Sequence, residues 1–64
     1  MAAQTLEVHQ IGEEFYVTVR EAARYLGVAY TRVFDLIYVG RLPAVQIESR
    51  WMIESDVLRA FEVQ

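Results

Sequence analysis

Six arginines are the only Lys/Arg cations in this 64-residue chain, and their type and spacing suit them to work on a polyanion. A guanidinium is planar, permanently charged and forked, so it matches phosphate oxygens and the guanine edge better than an ammonium does. Arg20, Arg24, Arg32, Arg41 and Arg50 outweigh Glu21, Asp35 and Glu48 between residues 18 and 53, which leaves that segment at +2. Glu7, Glu13 and Glu14 put residues 1–17 at −3, and Glu54, Asp56 and Glu62 against Arg59 put residues 54–64 at −2. The whole chain therefore carries −3, with its one positive segment in the middle. A compositional bias of the genome would account for the missing lysine equally well. Nothing here assembles into a reaction centre: there is no Ser-His-Asp set, no phosphate-cradling glycine loop, and Glu13-Glu14 reads as a solvated turn. With no cysteine and one histidine, neither a disulfide nor a metal site can be built, and His9 reads as a solvated strand residue. We expect no enzymatic activity, no cofactor and no metal.

The elements that must position the arginines can be read from periodicity. Thr18 is a good N-cap, and Glu21 three residues later completes a capping box. Val19, Ala22, Ala23 and Leu26 form one apolar stripe on a helix over about 18–26 that Gly27 stops. A second helix, about 30–39, has Val33, Leu36 and Ile37 on its inner face and Gly40 as its stop. It starts weakly, since Ala29 offers no capping oxygen, although Thr31 could cap one turn in. Two helices around a short glycine-containing turn form a helix-turn-helix. Leu42-Pro43-Ala44 is a rigid extended link. Val45 and Ile47 lie on one strand, Trp51 and Ile53 on the return strand, and Glu48-Ser49 at the tip. Ser55 caps a last helix, about 56–62, with Val57, Leu58 and Phe61 inward. Ahead of all this, Thr5–Gln10 alternates with Leu6 and Val8 on one face. Gly12-Glu13-Glu14 turns the chain, and Phe15-Tyr16-Val17 returns with Phe15 and Val17 inward.

Thr-Val-Arg-Glu-Ala-Ala-Arg-Tyr-Leu-Gly-Val from Thr18, then Val33 to Ile37, Gly-Arg-Leu-Pro-Ala-Val at 40–45, and Arg-Trp-Met-Ile with Asp56 and Leu58 follow in a telling order. Over about two-thirds of the chain this resembles the excisionase-type winged helix-turn-helix domain, a branch of the MerR-related DNA-binding fold. The fold class expected is α+β: about three short helices, a two-stranded wing and an added N-terminal β-hairpin. The domains are then a hairpin extension over 1–17 and the winged domain over 18–64. The family usually has serine or threonine at Ala29 and a glycine-rich wing tip, so Glu48-Ser49 implies a different or longer turn.

The resemblance implies that the second helix enters the major groove and the wing (45–53) meets the backbone or minor groove. Tyr30, Thr31 and Arg32 are then the groove-facing residues. Arg32 forks onto a guanine edge or, alternatively, pairs with Asp35 in solvent. Thr31 bonds a base or phosphate, and the Tyr30 hydroxyl bonds phosphate. Arg50 after the wing tip is expected on phosphate or the minor groove or, alternatively, in solvent at the strand end. Arg20 and Arg24 on the first helix contact the backbone or, equally, form a solvated face. Arg41 after the second helix faces phosphate. Trp51 is expected to anchor the wing by packing. Against this, the family commonly carries arginine or lysine at Tyr30, Asp35, Tyr38, Gln46 and Met52, so phosphate contacts are fewer and the salt dependence flatter. Two readings follow. One is a small excisionase-like or regulatory DNA binder that assembles cooperatively, with Phe34, Tyr38, Val39 and Met52 or the N-terminal hairpin in protein contacts beside a recombinase or the transcription machinery. The other is a protein-interaction module that kept the fold and uses the aromatic face of the second helix.

Size bounds the rest. A domain this short buries only about 60% of its unfolded surface. Its 55% apolar content leaves surface for a second copy, so a homo-oligomer is expected. No apolar run reaches the roughly 18–20 residues that cross a bilayer and no signal-peptide pattern opens the chain, so a soluble cytoplasmic protein is expected.

Overall fold

A computed structural model describes residues 7–61. Strands β1 (His9–Ile11) and β2 (Glu14–Thr18) precede helices α1 (Val19–Leu26) and α2 (Tyr30–Tyr38). Strands β3 (Val45–Ile47) and β4 (Arg50–Glu54) and helix α3 (Ser55–Phe61) complete the described residues. All strand pairings are antiparallel, in the order β1-β2-β4-β3, so the N-terminal hairpin and the wing share one sheet through β2 and β4. The expected α+β winged helix-turn-helix with its N-terminal hairpin is the fold observed.

The first hairpin departs from the sequence reading in detail. Its strand starts at His9 and runs to Ile11, while Thr5 and Leu6 lie outside the described residues. Ile11 pairs with Glu14, so the turn is Gly12-Glu13 alone, with Gly12 at φ 64° where glycine is favoured. Val17 is fully buried as expected, but Phe15 is 46% exposed. The pairing register explains this: β2 meets β4 only from Tyr16 onward, and Phe15 stands on the two-stranded part of the hairpin, opposite Gln10.

The helix-turn-helix is closed by its own backbone. Thr18 Oγ1 accepts from the Glu21 amide at 3.2 Å while Glu21 Oε1 accepts from the Thr18 amide at 3.0 Å, which is the predicted capping box. At the far end of α1 the Val28 amide reaches back to the Ala23 carbonyl (3.1 Å), with Gly27 left-handed at φ 73°. Helix α2 ends the same way, with Gly40 at φ 82° and the Arg41 amide on the Leu36 carbonyl at 2.9 Å. That reversal drives Leu42 into the core at 1% exposure. Ala29 leaves the start of α2 without a side-chain cap, and Thr31 lies inside the helix and does not replace it.

The wing turn lies at Glu48-Ser49 as expected, and it differs from a glycine-rich tip without being longer. Ile47 pairs with Arg50, so only Glu48 and Ser49 form the loop, at φ 53° and 70°. Two left-handed residues make a primed turn whose twist matches the strands, which is why a glycine-poor tip still fits a two-residue loop. Met52 is buried at 5%, which removes it from the expected protein-contact surface. It faces Thr18 on one side and Val45 on the other because β4 is an inner strand of the sheet. The core joins Val17, Val19, Ala22, Ala23, Val33, Leu42, Ile53 and Leu58, and Trp51, Val57 and Phe61 pack against it half-buried. Ser55, itself buried, is the first residue of α3.

Candidate nucleic-acid interface

Three elements converge on one open cleft of about 340 Å³. The start of α1 contributes Thr18, Val19 and Arg20, α2 contributes Tyr30 and Phe34, and the wing contributes Ser49, Arg50 and Trp51. Each placement follows from local chemistry. The capping box sets the entry angle of α1 and so the base of Arg20. The Gly27 reversal brings the first residue of α2, Tyr30, beside it. The two-residue wing turn brings Arg50 immediately after the tip. The Arg20 guanidinium lies 5.9 Å from the Tyr30 ring centroid, a cation–π contact that holds the cation over one ring face. A guanidinium held over a ring at this distance keeps N–H groups free, so Arg20 retains donors for an oxyanion.

Along α2 the aromatic rings form a file. Tyr30 and Phe34 meet edge to face at 5.2 Å and 79°, and Phe34 and Tyr38 are 6.4 Å apart at 32°. Phe34 is half-buried, whereas Tyr38 and Val39 are 74% and 66% exposed at the end of the helix.

Of the residues expected at the interface, Arg20, Tyr30 and Arg50 are brought together. Thr31 and Arg32 lie outside the cleft, exposed on the first turn of α2. Arg41 is exposed on the segment after α2 and does not line the cleft. Among the described residues Arg32 forms no ion pair, Asp35 included. Sequence reading missed two hydroxyls, Thr18 and Ser49, which line the cleft although one was read only as a cap and the other only as a turn residue. The one usable signal was their adjacency: Ser49 precedes Arg50, and Thr18 lies two residues before Arg20. Trp51 packs against the core as expected and also walls the cleft.

Glu21, Glu54 and Asp56 interact with groups away from the cleft. His9 is exposed as expected, but it is not merely solvated: its Nε2 lies 3.1 Å from both Glu21 oxygens, tying the first hairpin to α1. Burial pushes the Glu21 carboxyl up, but the Thr18 amide, the His9 hydrogen bond and charge and the Thr18 hydroxyl outweigh it, so it titrates below its usual range. The opposite holds where β2, β4 and α3 meet. There the hydrogen bond and charge of Glu14, then partial burial and the charge of Asp56, push Glu54 up. Arg59 lies 3.6 Å from Asp56 on α3. Among the described residues, no group of three or more His, Cys, Asp or Glu is placed to hold a metal ion. No helix among them is long and apolar enough to cross a membrane.

The family model for the helix-turn-helix domain matches residues 16–62, which takes in α1, α2, the wing and α3. No curated protein and no solved structure matches the chain. The match spans most of the sequence, and it coincides with the capped helix pair and wing that form the cleft; the chain belongs to the helix-turn-helix domain family of DNA-binding proteins.

Proposed function

We propose that this protein is a small DNA-binding regulator of the excisionase type that acts by architecture and performs no chemistry of its own. Helix α2 enters the major groove with Thr31 and Arg32 toward base edges, and the wing lies along the backbone. The cleft receives a backbone phosphate between Arg20 and Arg50, with the Thr18, Ser49 and Tyr30 hydroxyls as further donors. One observation carries this: the cleft gathers two cations from different elements, Arg20 at the start of α1 and Arg50 after the wing tip, beside Tyr30 at the start of α2. Arg50 has no anionic partner among the described residues, so it is available to phosphate. With Met52 buried, cooperative assembly side by side on DNA falls to Tyr38 and Val39, beside a recombinase or the transcription machinery.

Fluorescence-anisotropy titration of mixed-sequence duplex at low salt, repeated over a salt series, tests the proposal. Binding near the micromolar range that weakens with salt supports it. No binding at low salt sinks it. A second reading, a protein-interaction module built on the exposed aromatic file of α2, is favoured by the exposure of Tyr30, Tyr38 and Val39. It would then be pursued with Tyr38→Ala in a search for a protein partner.

A further inference from the structure

We propose that Asp35 is a specificity-determining residue of α2, accepting a hydrogen bond from the exocyclic amino group of a cytosine in the major groove; this rests on the DNA-binding mode above. Asp35 is exposed one helical turn beyond Thr31, on the side of α2 away from the buried Val33. Among the described residues it has no cationic partner, although Arg32 stands three positions earlier. It serves no helix end either. It sits in the C-terminal half of α2, where the helix dipole disfavours a negative charge and where the last turn holds no basic residue. An uncompensated carboxylate at that place does nothing for the fold, and its chemistry points outward.

An ionised carboxylate only accepts hydrogen bonds. In the major groove the donors it can meet are cytosine N4 and adenine N6, while guanine, thymine and phosphate oxygens present acceptors that repel it. Adenine places the N7 acceptor beside its amino group, whereas cytosine offers its donor without a neighbouring acceptor on the same base. Cytosine therefore fits a carboxylate best. On guanine or thymine Asp35 would be a desolvated, unpaired charge, so it also rejects those bases. This accounts for a DNA-binding helix that carries an acid on its outer face: the residue lowers affinity for DNA in general and restores it at one base.

The test is selection from a randomised duplex library with the wild-type chain, Asp35→Asn and Asp35→Ala, alongside anisotropy on mixed-sequence duplex. Asp35 is exposed and unpaired, so neither change should disturb folding, an expectation to be checked by circular dichroism. The wild type is expected to select a C·G pair at one fixed position, with discrimination on the order of 5- to 100-fold there. Asp35→Ala should lose that preference while keeping others, and should bind mixed sequence severalfold tighter at low salt. Asp35→Asn should move the preference toward adenine. Equal base preferences in wild type and Asp35→Ala would overturn the assignment while leaving DNA binding intact. Absence of binding by all three chains would overturn the underlying DNA-binding mode and the assignment with it.

Discussion

Arg20 and Arg50 are the side chains on which phosphate binding should depend most directly. Both border the same cleft, one pinned against Tyr30 and one unpaired. Arg20→Ala and Arg50→Ala should each weaken duplex binding about uniformly across sequences and reduce the salt slope by about one. Anisotropy over a salt series reads both effects. Arg20→Lys should recover less than full affinity, because an ammonium neither stacks flat on Tyr30 nor forks onto a phosphate. Arg41→Ala, outside the cleft, should change binding less than either. The same residue-by-residue logic separates the expected site members. Arg20, Tyr30 and Arg50 could be picked out from type and position along helices and wing, but their meeting in one cleft could not. It depends on how the Gly27 reversal and the wing turn aim three separate segments.

At the level of elements, the two weakest pieces of local chemistry predict where stability can be added. Ala29 opens α2 without a cap, and Ala29→Ser should stabilise the domain by about 0.5–1.5 kcal/mol, seen as a higher thermal midpoint. Ser49 sits at φ 70° in the wing turn, and Ser49→Gly should relieve that conformation by roughly 0.5–1 kcal/mol. A Ser49→Val change, β-branched at the same φ, should act in the opposite direction; an unchanged midpoint would count against the turn geometry. The helices were legible in the sequence because capping residues, glycine stops and a 3.6-residue apolar period are local signals. The position of the wing tip was legible too, but its left-handed conformation was not, because a left-handed Glu-Ser pair is imposed by strand register rather than by its own preference.

For the whole molecule, a core this small leaves little margin. Leu58 is fully buried between the sheet and the helices, and Leu58→Ala should cost about 2–5 kcal/mol, enough to unfold most of the population near neutral pH. Acid titration should expose two carboxyls of opposite sign. Glu21 titrates below its usual range when folded, so its contribution is present above the unfolded value and is lost as pH falls through the folded one. Glu54 titrates above its usual range, so its repulsion with Glu14 weakens the fold at neutral pH and is relieved as pH falls through the raised value. Chemical denaturation as a function of pH should therefore find Glu21→Gln less stable at neutral pH, with a shallower acid loss. Glu54→Gln should be more stable at neutral pH, with that gain shrinking on acidification.

The sequence by itself determined the order of elements, the capped ends of the helices, the inner residues Val17, Val33, Ile53 and Leu58, and the concentration of arginine in the central segment. These are properties of neighbouring residues and short periods, where backbone hydrogen bonding and apolar patterning act within a few positions. Tertiary structure decided the rest. Met52 left the surface because β4 became an inner strand, and Phe15 entered solvent because the β2–β4 pairing begins one residue later. His9 found Glu21 twelve positions away, and Arg20 and Arg50 came to face one cleft thirty residues apart. Each depends on strand pairing or on the packing of distant segments, and a one-residue change of register reverses which side of a strand is buried, so no local pattern could have assigned it.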